Sequence, residues 1–163
     1  MIGTTPQVFD IQTVRTLRPA NGALALTFQS GLVAWLRPDH PDRDALLRDG
    51  EDSIRQGLPA GVMVDGEGRL LELSPTFATG VRSVREDEED PSRLAVWCWE
   101  FSPVCYLTRN HPEFERIRAT LAEAAGSGRQ VWLANRMHLV EGETEIWWKI
   151  LDVRPMEALP EGR

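Results

Sequence analysis

A short motif built around His-Pro occurs twice in this chain and constrains its fold more than any other feature. The first copy is Leu36-Arg-Pro-Asp-His-Pro-Asp-Arg43 and the second is Leu107-Thr-Arg-Asn-His-Pro-Glu-Phe114. His111 follows His40 by 71 positions, and the same interval separates Gly57 from Gly128. Two segments of helical length therefore begin and end at matching positions, which predicts one structural unit used twice.

Apolar patterning predicts the same order of elements in both copies: three strands, a helix and two strands. In the first copy the strands are Val8–Leu17, Ala23–Gln29, Leu32–Leu36, Ala60–Val64 and Arg69–Leu73. In the second copy the elements outside the helix are Val81–Val84, Leu94–Phe101, Pro103–Leu107 and a last hairpin running from Val131 to Val153.

Each helix is predicted to start at a capping box, Asp39-x-x-Asp42 in the first copy and Asn110-x-x-Glu113 in the second. The two histidines beside these boxes are interpreted as part of the helix entry. The first helix is expected to be broken or short. The reason is that Gly50 and Ser53 stand where the second helix has two apolar residues, and glycine is a poor helix former.

This order of elements resembles the OB-fold, in particular the version found in the B subunits of bacterial toxins. The resemblance implies a mainly β protein with two helices (α+β), built from two tandem OB-like β-β-β-α-β-β units packed with pseudo-twofold symmetry. The units are expected to span residues 1–78 and 79–163. β-Grasp-like units, in which the first strand would be dispensable, are the alternative fold.

Alternate residues of the second strand in each copy are predicted to face the interior of a barrel. These are Leu24, Leu26 and Phe28 in the first copy and Ala95, Trp97 and Trp99 in the second. Trp35, on the third strand of the first copy, is also predicted to face the interior. The outward residues are then Ala25, Thr27, Leu32, Ala34 and Leu36, with Val96, Cys98, Cys105 and Leu107. Because so apolar a face is costly in water, we expect the two units to dock through these strands.

Two cysteines fall close together in this scheme. If Thr27 opposes Ala34 in the first hairpin, then Cys98 directly opposes Cys105 in the second. Cross-strand neighbours can be near enough for a disulfide. The pair is therefore interpreted either as two reduced thiols within a packed face or as a redox pair.

The composition argues against a nucleic-acid partner. Lys and Arg total 18 against 25 Asp and Glu, which gives a net charge of −7 and no basic excess for a phosphate backbone. The sequence shows neither a leader-like start nor a run of about 18 apolar residues that could span a membrane. We therefore expect a cytoplasmic protein without a membrane partner.

The second copy is longer than the first in two loops, and the OB-fold resemblance implies that such loops bind ligands. One carries the acidic run Glu86–Asp90 and the other spans Arg136–Lys149. The candidate binding residues are Glu88, Glu89, Arg136, His138, Trp147 and Trp148. No catalytic residue, metal ligand or cofactor is assigned.

These observations favour a non-catalytic protein- or peptide-binding adaptor, existing as a monomer or a homodimer. Its acidic loop would suit a basic or neutral partner. Two other classes stay open. One is a single-stranded nucleic-acid-binding OB protein, and the other is a small enzyme, such as a hydrolase that uses His138 with a nearby carboxylate.

Overall fold

β-Strands and two helices account for most of residues 7–139 and 146–158, which are the residues that the computed structural model describes. The chain divides into two units between Pro75 and Thr76. Unit 1 denotes the described residues up to Pro75, and unit 2 denotes those from Thr76 onward. None of the helices in these ranges is long and apolar enough to cross a membrane.

The elements of unit 1 are β1 (Val8–Gln12), β2 (Val14–Ala20), β3 (Ala23–Phe28), β4 (Val33–Leu36), α1 (Arg43–Gln56), β5 (Ala60–Val64) and the first part of β6 (Leu70–Thr79). The elements of unit 2 are the end of β6, β7 (Val81–Glu86), β8 (Arg93–Cys98), β9 (Cys105–Thr108), α2 (Phe114–Ser127), β10 (Val131–Leu139), β11 (Ile146–Pro155) and a short 3-10 helix (Met156–Ala158). The predicted helix with two strands after it is present in both units, but the predicted first strand Val8–Leu17 is divided into β1 and β2, so four strands rather than three precede α1.

The strands pair in the same order in the two units. In unit 1, β2, β3 and β4 form one antiparallel sheet, and β1, β5 and β6 form another. In unit 2, β7, β8 and β9 are antiparallel, β9 runs parallel to β11, and β10 lies between β11 and the end of β6. Across the described residues the sheets are open rather than closed barrels, so the predicted barrel is wrong.

The two units also share their strand register. Leu24 pairs with Leu36 in unit 1, and Leu94 pairs with Leu107 in unit 2. The hairpin between β8 and β9 has one residue more than its counterpart between β3 and β4. Because of this extra residue, an alignment of the two copies at equal spacing is one position out of register in the strand before the hairpin. The sequence-based assignment of interior positions depended on that alignment.

Of the predicted interior residues of β8, Ala95 is buried, but the assignments of Trp97 and Trp99 are wrong. Val96 and Cys98 are buried, whereas Trp97 is half-buried and Trp99 is 66% exposed. Because successive residues of a strand point to opposite faces, a shift of one residue reverses every assignment. Trp35 of β4 is likewise half-buried, between the buried residues Ala34 and Leu36.

The apolar face that was expected to dock the two units lies within the core of each unit instead. Ala34 and Leu36 are fully buried in the core of unit 1, and Cys105 and Leu107 are fully buried in the core of unit 2. They are inside because Leu26, rather than Thr27, is the residue that pairs with Ala34. The predicted docking face is therefore wrong, and the pseudo-twofold packing stays a prediction.

Each helix begins beside a histidine that joins two distant parts of its unit. Nδ1 of His111 accepts a hydrogen bond from the Glu113 amide at 3.0 Å, and Nε2 lies 2.7 Å from the Leu151 carbonyl oxygen. His40 makes the same two contacts, with Asp42 and Leu71. The predicted capping boxes do not form, because the imidazole rather than a carboxylate bonds the first free amide.

Helix α1 is neither broken nor short, since it has 14 residues, as α2 has. A Cβ atom at Gly50 would lie 3.2 Å from Leu17, so any larger residue there would require the Leu17 side chain to shift by a few tenths of an ångström. Ser53 accepts a hydrogen bond from the Val14 amide and donates one to the Leu58 carbonyl. Both helices end at the predicted glycines, Gly57 and Gly128, in the left-handed conformation.

We predict that His111 makes the stability of the protein depend on pH. Burial is the main cause that holds the pKa of His111 below its usual value, against the nearby carboxylates of Asp152 and Glu113. The folded state therefore binds the proton less readily than the unfolded state does. The contribution of His111 to the free energy of unfolding should be full above about pH 6.5 and should be lost as the pH falls toward the lowered folded pKa.

Urea unfolding of the wild type and of His111→Gln, compared from acidic to neutral pH, measures this contribution. The glutamine keeps an amide donor but does not titrate, so its disadvantage should shrink as the pH falls. His111→Ala should cost about 1–3 kcal/mol at neutral pH, because two buried backbone groups lose their partner. A wild-type advantage over His111→Gln that is the same at every pH would contradict the prediction.

Candidate binding site on unit 2

Side chains that point away from the core of unit 2 form a row of cations around an aromatic ring. Arg85 pairs with Ala95, and Ala95 pairs with Tyr106. Lys149 lies opposite both Tyr106 and Arg136. Cross-strand neighbours share a face, so these residues cross five strands in one line. We call this surface, with the adjacent Arg93, Trp97, His138 and Trp147, the outer face of unit 2.

Arg93 is the centre of this face. Its guanidinium carbon lies 3.9 Å from the ring centre of Tyr106 and 4.9 Å from that of Trp147. Trp147 in turn meets Tyr106 edge-on at 5.6 Å and His138 at 4.8 Å. Only 15% of the Arg93 side chain is exposed. The rings therefore shield the guanidinium from water in addition to contacting each other. This is a cation–π cluster in a partly desolvated setting, where such contacts are strongest.

The acidic loop is tied to this cluster. Nε of Arg93 donates a hydrogen bond to the Asp87 carboxylate at 2.6 Å, and this bond is the main cause that lowers the pKa of Asp87. Asp90 bonds the hydroxyl and amide of Ser92, which lowers the pKa of Asp90. Glu86 contacts Arg109 at 3.1 Å. The predicted binding residues Glu88 and Glu89 are exposed at the edge of this loop.

The residues predicted to form the last loop extend strands β10 and β11 instead. His138 pairs with Trp147, and Met137 pairs with Trp148. Trp147 lies on the outer face, whereas Trp148 meets Phe101 edge-on at 5.2 Å and packs against the core of unit 2. Residues 140–145 of the predicted loop lie outside the described residues. Because Trp148 supports the core, its replacement should disturb the fold as well as any ligand contact.

Cys98 and Cys105 are buried free thiols. Cys105 pairs with Val96 rather than with Cys98, so the predicted direct opposition is wrong by two residues. Interaction with the neighbouring Cys105 thiol, together with burial, raises the pKa of Cys98. Because thiolates are the reactive form, a raised pKa suppresses the chemistry of Cys98. Disulfide formation by this pair stays a prediction.

The arrangement around His138 bears on the enzyme hypothesis. The edge of its ring contacts Trp147, and within residues 7–139 and 146–158 no hydrogen bond joins His138 to a carboxylate. No group of three or more His, Cys, Asp or Glu residues is placed to hold a metal ion in the same ranges. The contacts that this face presents are aromatic packing and charge pairing.

Five residues of the outer face were not among the candidate binding residues of the sequence analysis, namely Arg85, Arg93, Trp97, Tyr106 and Lys149. The pairing of Ala25 with Trp35 in the shorter copy is the signal that could have found them. When this pairing is applied to the second copy with the correct hairpin length, Tyr106 falls on the outer face. Arg93 then falls at the next outward position on the same face. Comparison of the chain with protein-family models, curated proteins and solved structures found no match.

We predict that Arg93→Gln raises the pKa of Asp87 toward its usual value near 3.9, because the carboxylate loses its charged donor. The lowered pKa in the wild type contributes stability that is present above pH ~3.9 and is lost as the pH falls through the folded pKa. Loss of the bond should cost about 1.5–3 kcal/mol near neutral pH.

Carboxyl NMR titration measures the change at Asp87, and urea unfolding measures the change in stability. Arg109→Gln is the matched control, since Arg109 contacts Glu86 of the same loop and should leave the titration of Asp87 unchanged. An Asp87 pKa that stays at its wild-type value in Arg93→Gln would show that the contact does not hold the carboxylate.

Proposed function

We propose that this protein is a non-catalytic binding protein, and that the outer face of unit 2 takes an extended segment of a protein or peptide. The observation that carries the proposal is the line of Arg85, Tyr106, Lys149 and Arg136 across neighbouring strands. Trp97 and Trp147 flank that line. Aromatic and arginine side chains are the types that dominate binding energy at protein interfaces.

The charges of this face favour an acidic partner. Three cations stand in the line itself, and Arg93 lies beside it with Asp87 as its counter-ion. The basic partner expected from the sequence rested on the acidic run, but two of its carboxylates are bonded within unit 2. Glu88 and Glu89 remain at the rim, where they would orient an acidic segment by repulsion.

We further propose that the two units are tandem copies of one OB-like unit. Supporting this, a parallel contact joins Trp35 to Arg69 in unit 1, as β9 and β11 are joined in unit 2. The first strand of each sheet is also irregular at the same place, at Val14/Thr16 and at Val81/Ser83. In OB-folds the second and third strands bind ligands. Those strands in unit 2 are β8 and β9, which carry Arg93 and Tyr106.

Single-stranded nucleic acid is the second candidate ligand. The observation that favours it is the alternation of Trp97, Tyr106 and Trp147 with the cations of the outer face. Proteins that bind single strands combine stacked aromatic rings with a positively charged path for the backbone. The net charge of −7 counts against it, since long-range attraction of a polyanion depends on the whole surface.

The test is fluorescence anisotropy with three labelled probes of equal length: an acidic peptide containing aromatic residues, a basic peptide of the same length, and oligo-dT. The acidic peptide should bind, and Arg85→Glu should weaken it roughly three- to tenfold, the range expected when an exposed charge pair becomes a repulsion. Trp147→Leu should weaken it as well, because the ring that covers Arg93 is lost.

Arg118→Glu is the matched control, because it changes the net charge equally at an exposed position of α2. It should leave binding unchanged. Equal weakening by Arg85→Glu and Arg118→Glu would place the site elsewhere. Tighter binding of oligo-dT, falling steeply with salt, would favour the second candidate, and tighter binding of the basic peptide, strengthened further by Arg85→Glu, would return the site to the acidic loop.

A further inference from the structure

Unit 1 has an aromatic side chain at the position that Tyr106 occupies in unit 2. Trp35 pairs with Ala25 as Tyr106 pairs with Ala95. The ring borders an open cavity of about 340 Å³ lined by Ala20, Asn21, Ala23, Trp35, Glu67 and Arg69. This cavity lies entirely within unit 1, so it is separate from the outer face of unit 2.

The equivalent space in unit 2 is filled by a guanidinium group of the protein itself. Arg93 is the first residue of β8, and Ala23 is the first residue of β3. The Arg93 guanidinium lies over Tyr106 at 3.9 Å, whereas the methyl group of Ala23 leaves the corresponding place beside Trp35 accessible. Unit 2 therefore shows which chemical group this position accommodates. Trp is a stronger cation–π acceptor than Tyr.

A carboxylate is also present at the cavity in unit 1. In unit 2 the counter-ion of Arg93 is Asp87, which comes from the long loop between β7 and β8. The corresponding connection in unit 1 is the tight turn at Asn21, which adopts a positive φ of 51°. The acidic groups come instead from the turn before β6, where Glu67 lies 67% exposed at the cavity wall.

Arg69 is a cation that already lies beside the cavity, but its charge does not prevent a second cation from binding there. It is bonded to Asp65 at 2.6 Å and to Glu67 at 3.2 Å, so two carboxylates face one guanidinium. Unit 2 has a cation at the same place, because Lys149 stands opposite Tyr106 as Arg69 stands opposite Trp35. The Arg93 guanidinium is held over Tyr106 in spite of it.

We propose that the cavity of unit 1 binds a guanidinium group, carried by an arginine side chain of a basic peptide, over the face of Trp35 with Glu67 as its carboxylate. This site is distinct from the outer face of unit 2 and takes ligands of opposite charge. The protein then has two binding surfaces, one in each unit. Failure of this inference leaves the proposed function of unit 2 untouched, because the two tests use different residues.

The experiment is an NMR titration of the full-length, ¹⁵N-labelled protein with N-acetyl-Gly-Arg-Gly-amide, and with the glutamine analogue as the neutral control probe. The arginine peptide should shift the Trp35 indole and the Ala23 amide signals with a dissociation constant on the order of millimolar, as expected for one exposed cation–π contact with an ion pair. The glutamine peptide should not. The Trp147 indole signal reports on unit 2 and should stay in place.

Ala23→Arg is the decisive variant, because it would supply in unit 1 the side chain that Arg93 supplies in unit 2. It should shift the Trp35 indole signal without any ligand and should abolish the response to the arginine peptide. Glu67→Gln tests the same site at an exposed position that does not threaten folding, and it should weaken the peptide about threefold.

Equal shifts with the arginine and glutamine peptides would overturn the proposal, since the guanidinium would then not be what is recognised. An undiminished response in a folded Ala23→Arg variant, or undiminished binding in Glu67→Gln, would also overturn it. So would the absence of any shift of the Trp35 signal at peptide concentrations well above the millimolar range.

Discussion

The burial of one face of β8 and β9 in a core shared with α2 decides which side chains of these strands lie on the outer face of unit 2. Leu94, Val96 and Leu107 pack with Ile117 and Leu121 in a core from which water is excluded. Each fully buried side chain of this size contributes about 1.5–3 kcal/mol relative to exposure. Because side chains alternate along a strand, this burial leaves the intervening residues no position except outside. Arg93 and Tyr106 are therefore on the outer face as a consequence of core packing.

Arg93 shows how a charge can be kept almost out of water at the surface of a sheet. Taking a guanidinium and a carboxylate from water is costly, and pairing them recovers that cost only when the geometry is good. Here Asp87 accepts a bond at 2.6 Å while Tyr106 and Trp147 cover the planar faces of the cation. The same side chain thus holds the acidic loop beside the last hairpin.

The two units show what can change while a shared set of pairings is kept. Where unit 2 has Leu121 in its helix, unit 1 has Gly50, and a Cβ atom there would lie 3.2 Å from Leu17. Where unit 2 has Arg93, unit 1 has Ala23, and the difference appears as a cavity beside Trp35. Changes on the inner face alter the packing of the core, whereas changes on the outer face alter the accessible surface.

The presence of two strands after each helix, the ends of both helices at glycine and the position of His-Pro before each helix followed from the sequence alone. These features depend on local conformation, such as the left-handed geometry at Gly57 and Gly128. The tertiary structure decided which face of each strand is buried and which atoms the histidines bond. The hairpin before Cys105 has one residue more than its counterpart, so an alignment of the two copies at equal spacing assigns the residues of the preceding strand to the wrong face. No local pattern in the sequence reveals this extra residue. The carbonyl of Leu151 is distant in sequence from His111, so only the folded chain brings the two together.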